Sequence, residues 1–312
     1  MNRTGLLLAF FLAMAAAGPA AAQRKQAEPL PPVESVVVTG TKSAEALHDF
    51  VGAVAAPTRL AGKMARWDVP VCPLVSGLNP GAVRFITRRI RDVAAGAGAP
   101  VNRDANCRPN IQIVFTTTPQ QLANNIRNKH GDLLGYFDTL KQLDRLATVT
   151  RPIQAWYMTA IRDARGHVQI DTPRTMGMEL SLGPNQPPLW MPQARAYATL
   201  TSHLGDGLRA NLHHVTIIAN PTRLPDHEMG PVADYLAMLA LSQMVTPDRC
   251  RPLPTIINML AADCPRIPNG LSDIDLGYLR GLYHMNAASS KSVQMHEVAY
   301  QMRRELIEAD AR

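Results

Sequence analysis

Pro231–Met244, reading PVADYLAMLALSQM, is the stretch on which the fold turns. A proline suits the first helical position, where its missing N–H would have had no partner. Ala233, Ala237, Ala240 and Met244 then fall on one narrow face at helical spacing, and Val232, Leu236 and Leu239 widen it. A helix this apolar belongs inside the molecule rather than on its surface. The spacing therefore predicts a long buried helix over about 231–244, and the line of alanines lets another element approach it closely.

Working outward, the segment before this helix reads as a strand, Val215–Ala219, followed by a loop holding Pro221 and Pro225. After it come a segment bracketed by Cys250 and Cys264, a helix from Leu271 to Tyr283 and a last helix from Ser289 to Ala309. Asp273 and Asp275 fit as acids at the start of the former, beside a Ser272 cap. In the first half, Asn79 as cap and Pro80 at the first position open a helix to about Ala95. A strand at Ile111–Thr116 follows, then a helical stretch from Pro119 broken near Gly131, and a helix over Leu133–Leu146. Ile153–Ile161 and His167–Ile170 flank a turn and predict a hairpin. Thr172–Pro192 reads as a long loop rich in Pro and Gly. Strands and helices mixed without regular βαβ alternation indicate the α+β class.

In this order of elements, the chain from His213 to His284 resembles the C-terminal half of the zincin metalloproteases of the matrixin type. The resemblance consists of a strand, a long helix, a methionine-containing turn at Thr255-Ile256-Ile257-Asn258-Met259, and a closing helix through Leu271-Ser272-Asp273-Ile274-Asp275, Leu279, Leu282 and Tyr283. It implies a zincin-like mixed sheet with packed helices, in which the 231–244 helix occupies the active-site position. The family's helix carries H-E-x-x-H-x-x-G-x-x-H. Here Ala233, Asp234, Ala237, Ala240 and Gln243 stand at the His, Glu, His, Gly and His positions. Alanine has no lone pair for zinc, and Gln243 alone cannot replace three imidazoles. Without a metal to acidify water, Asp234 has little to activate. The resemblance thus implies a core that has lost its catalytic residues, with no metal and no cofactor.

A second candidate is the histidine-rich region from His203 to Glu228, with His203, His213, His214, His227 and Glu228. Imidazoles are good zinc ligands. Neighbouring His213 and His214 on a regular strand point to opposite faces, which works against a shared metal. No nucleophile elbow or glycine-rich phosphate loop is present.

The chain start has the three parts of a secretory signal: Arg3, an apolar run from Leu6 to Ala17, and small residues before a cut between Ala22 and Gln23. The run is shorter than the roughly 20 residues needed to cross a bilayer. No later segment is long and apolar enough to span, so no transmembrane segment is expected after cleavage. The signal is assigned to 1–22, a flexible tether to 23–66 and a single domain to 67–312. Gln23–Glu34 is polar and holds Pro29, Pro31 and Pro32. Val36–Lys42, VVVTGTK, looks like a segment found near the start of outer-membrane TonB-dependent receptors, but the chain is too short for their barrel. An extended β-prone stretch at Val36–Gly40 is the simpler account.

The four cysteines Cys72, Cys107, Cys250 and Cys264 form an even set, and in an exported chain they are expected to be disulfide-bonded. Loop economy favours Cys72 with Cys107 and Cys250 with Cys264. The net charge is +7, and with only 5% aromatic residues the basic residues lack the interleaved aromatics of a nucleic-acid platform. No nucleic acid is expected as partner. The expectation is a periplasmic or secreted, non-catalytic protein with a zincin-like core that binds an envelope protein or polymer. The alternative is a periplasmic, peptidase-like hydrolase using the His203–Glu228 region.

Overall fold

The computed structural model describes residues 43–310, apart from 105, 174–176, 182, 185–186, 188, 193–196, 201–205 and 225–227. The expected signal and the Val36–Gly40 stretch lie outside the described residues. In chain order the main elements are α1 (Ala44–Val54), β1 (Pro73–Ser76), α2 (Pro80–Ala97), β2 (Ile111–Phe115), α3 (Pro119–His130), α4 (Leu140–Leu146), β3 (Ile153–Arg162) and β4 (Val168–Ile170). They continue with β5 (Gly177–Leu180), β6 (Leu189–Pro192), β7 (Arg209–Ala219), α5 (Met229–Leu241), α6 (Asp273–His284) and α7 (Lys291–Asp310).

Five strands form a mixed sheet in the order β1-β2-β7-β3-β4. β1, β2 and β7 run parallel, and β3 is antiparallel to both β7 and β4. The chain is an α+β protein, as its order of strands and helices predicts. Alternation along the strands splits the apolar residues between two faces. Ile111, Ile113, Val215 and Ile217 join the main core with α1, α2, α5 and α6. Trp156 and Ile218 turn to the other face, where Ala123 of α3, Leu134, Phe137 and Leu143 of α4 cover them.

Many local signals act as read. The Asn79 side chain accepts from Ala82 N at 2.9 Å, with Pro80 opening α2. Ser272 and Asp275 form a reciprocal capping box at the start of α6. The two disulfides join Cys72 to Cys107 and Cys250 to Cys264, with Cα separations of 6.0 and 5.0 Å.

Three expectations are corrected. Residues 43–66 are not a tether: Ser43 caps α1, and Leu47, Phe50, Val51 and Val54 are buried in the main core. Their spacing is that of a single helical face, which the proline-rich residues upstream had obscured. Phe50 meets Tyr278 of α6 edge-on, with ring centroids 6.2 Å apart. Lys63 is also buried and gives its three protons to Asp206, Leu208 O and Ala288 O at 2.6–2.8 Å. Arg66 reaches the carbonyls of Leu282, Tyr283 and Met285 at the end of α6, where a cation suits the negative end of the helix dipole.

The helix expected over Leu133–Leu146 is divided. A 3-10 turn covers Gly131–Leu134, and α4 starts only at Leu140, because Thr139 and Gln142 form a capping box there. Within the expected loop at Thr172–Pro192, β5 and β6 pair as a separate antiparallel ribbon.

Candidate functional site

α5 lies inside the molecule, with every residue from Val232 to Leu241 buried. Ala233, Ala237 and Ala240 have no exposed surface. The carbonyls at the C-terminal end of the helix are satisfied by side chains from distant elements. Trp67 Nε1 donates to Ala240 O, and the Tyr283 hydroxyl donates to Leu241 O, both at 2.8 Å. Ser242 Oγ folds back onto Met238 O.

Asp234, the one acid in this helix, is 3% exposed. Its Oδ1 accepts from Arg89 Nε at 2.5 Å, and its Oδ2 accepts from Arg89 Nη2 and from Leu271 N, each at 3.0 Å. Arg89 lies on α2 and Leu271 just before α6, so a single carboxylate ties three elements together. A buried acid in an apolar helix signals from sequence that a distant cation must exist; its identity was not readable.

The methionine turn forms a 3-10 turn over Ile256–Leu260 packed against α5, with Met259 buried. Asp275 holds it in place, accepting from Thr255 Oγ1 and, at 2.9 Å each, from Ile256 N and Ser272 N. Asp275 is therefore more than a helix-start acid: it joins the turn to α6. Asn258 braces the disulfide-bracketed segment, accepting from Arg251 N at 2.8 Å and donating to Arg251 O and Leu253 O.

Gln243 follows the end of α5 and is half-buried, and its Oε1 has no hydrogen-bond partner among the described residues. It faces a concavity of about 170 Å³ shared with Arg59, Tyr136, Trp156 and Thr159. A second concavity, about 210 Å³, is lined by Thr150, Arg151, Gln154, Met244 and Thr246. Ala155 and Tyr157 of β3 line both, so the two concavities adjoin along β3, beside the chain leaving α5.

In the histidine region, β7 pairs His214 with Met158 but Leu212 with Thr159, leaving His213 as the extra residue of a bulge. The bulge breaks the alternation on which opposite faces were expected. Burial lowers the pKa of both imidazoles; Arg108 adds to the effect at His213, and His213 itself adds to it at His214. Glu228 is exposed at the N-cap of α5 and makes no capping bond there. His203 and His227 lie outside the described residues. Among the described residues, no three His, Cys, Asp or Glu side chains are grouped as metal ligands.

The two disulfides, and the lack among the described residues of any helix long and apolar enough to cross a membrane, are compatible with a location outside the cytoplasm. No family model, no curated protein and no solved structure matches this chain.

Proposed function

We propose that this chain is a non-catalytic binding protein of the periplasm or the exterior, built on a zincin-like core whose metal position has been filled by packing. Asp234 is the observation that carries the reading. A general base needs a free carboxylate facing substrate or bound water; here both oxygens are committed to Arg89 and Leu271 N. The sequence β7, α5, Met259 turn and α6 supports the zincin-like core, and the buried Ala233 and Ala237 support the loss of its metal. The adjoining concavities along Ala155 and Tyr157 are the surface offered to an envelope partner, with Arg59, Gln154 and Gln243 as polar anchors.

The purified mature chain should carry far less than one equivalent of zinc, and added zinc should leave its melting temperature nearly unchanged, because a ligand stabilises only through preferential binding to the native state. A photo-cross-linker at Gln154 should capture an envelope component that one at Arg304, on α7, does not. Stoichiometric zinc with chelator-sensitive peptide hydrolysis, lost on replacing His213 or His214, would defeat the reading and move the chemistry to the histidine region.

A further inference from the structure

α2 carries Arg84, Arg88, Arg89 and Arg91, and their spacing sends them to different surroundings. Arg89 turns to Asp234, whereas Arg88 and Arg91, three residues apart, share another face of the helix. The chain beyond Gly98 comes back along that face. Val101 pairs with Val71, Cys107 is bonded to Cys72, and Arg91 donates to Asp104 O at 3.3 Å. This return brings Arg103 across to Arg88 and Arg91. Together with Asp92, Ala95 and Val101, the three arginines line a concavity of about 350 Å³.

Among the lining residues, three guanidinium groups outnumber the one carboxylate, that of Asp92, so the concavity is net basic even with Asp104 nearby. Arg88 and Arg103 are exposed and make no ion pair or side-chain hydrogen bond among the described residues. Arg91 Nε is buried and has no acceptor among the described residues. The Arg91 guanidinium is held in place at the edge of the concavity by its bonds to Asp104 O and Cys107 Sγ, so the exposed Arg88 and Arg103 are the free donors. Guanidinium groups present planar forks of donors that match the oxygens of a phosphate, and such charge-assisted pairs are among the stronger hydrogen bonds.

We propose that the concavity between α2 and the disulfide-pinned loop is a binding site for a phosphate-type oxyanion, presented as a free ion or as a phospholipid headgroup. The site uses none of the groups that bind the α5 carboxylate and does not depend on the zincin-like reading. Its loop is fixed by the Cys72–Cys107 bond, so the arginines are set in place before the ligand arrives, which lowers the ordering cost of binding.

The test uses the mature, oxidised chain with two probes: inorganic phosphate followed by calorimetry, and vesicles of phosphatidylcholine with or without phosphatidylglycerol followed by sedimentation. Arg88→Gln and Arg103→Gln should each weaken binding about tenfold through the loss of a charge-assisted contact. Arg84→Gln, an exposed arginine of the same helix outside the concavity, should bind as the unaltered chain does. Both substituted arginines are exposed, and an unchanged melting curve will show that the fold is intact. Loss of phosphate binding in both pocket variants, with phosphatidylglycerol vesicles ignored, identifies a free oxyanion; the same loss on those vesicles identifies a headgroup. Failure of the unaltered chain to bind either probe, or an equal loss in Arg84→Gln, would overturn the site.

Discussion

Asp234 shows what a single residue does when its charge is placed inside an apolar helix. Its carboxylate is 5% exposed as a side chain, whereas the Arg89 side chain opposite keeps 42% of its surface in solvent. The two partners are therefore not equivalent. Replacing Arg89 by Met leaves a buried charge with one remaining donor, Leu271 N, and should cost about 3–5 kcal/mol in urea unfolding. Replacing Asp234 by Ala releases a guanidinium that water can reach and should cost about 1–3 kcal/mol. The reverse order would show that the bridge does not hold α2 to α5. The local pattern around Asp234 reveals that a partner is needed, but Arg84, Arg88, Arg89 and Arg91 are equal candidates until the helices pack.

At the scale of elements, α6 and α7 pack closely through a glycine. A Cβ on Gly281 would lie 2.9 Å from Val298 O and 3.1 Å from Val298 Cα, both backbone atoms of the facing helix. Neither can rotate aside, so Gly281→Ala must push the helices apart and should cost about 1–3 kcal/mol, as overpacked cores do. Gly230, in the first turn of α5, has nothing within 4 Å of its would-be Cβ among the described residues. Gly230→Ala should instead add about 0.4–1 kcal/mol by restricting the unfolded chain. Thermal unfolding of the two variants side by side checks both signs. The same scale explains why α4 is shorter than its apolar pattern suggests: Thr139 and Gln142 cap one another, and a cap sets a helix start more firmly than the leucines before it.

For the molecule as a whole, the important correction is that the structured region begins before Trp67. Leu47, Phe50, Val51 and Val54 are each no more than 5% exposed, and burying side chains of this kind is worth roughly 1.5–3 kcal/mol apiece. Lys63 and Arg66 add hydrogen bonds to Asp206, Ala288 and the end of α6. A chain beginning at Trp67 should lose cooperative unfolding by heat, and one beginning at Ser43 should keep it. A sharp transition in the shorter chain would mean that α1 and the segment after it are an accessory rather than part of the core.

The sequence by itself determined the α+β class, the caps at Asn79 and Ser272, the β3–β4 hairpin, the preference for local disulfides and a buried helix near 231–244, which begins two residues earlier, at Met229, and ends at Leu241, before Gln243 and Met244. Those features depend on spacing, backbone preference and short loops, which neighbouring residues settle among themselves. Only the tertiary structure decided that Arg89 reaches an acid 145 positions away, that Lys63 and Arg66 enter the interior, that His213 sits in a bulge, and that Arg103 joins Arg88 and Arg91. Each of these requires residues remote in sequence to meet, and such meetings follow from the packing of the entire core around the central strand β7.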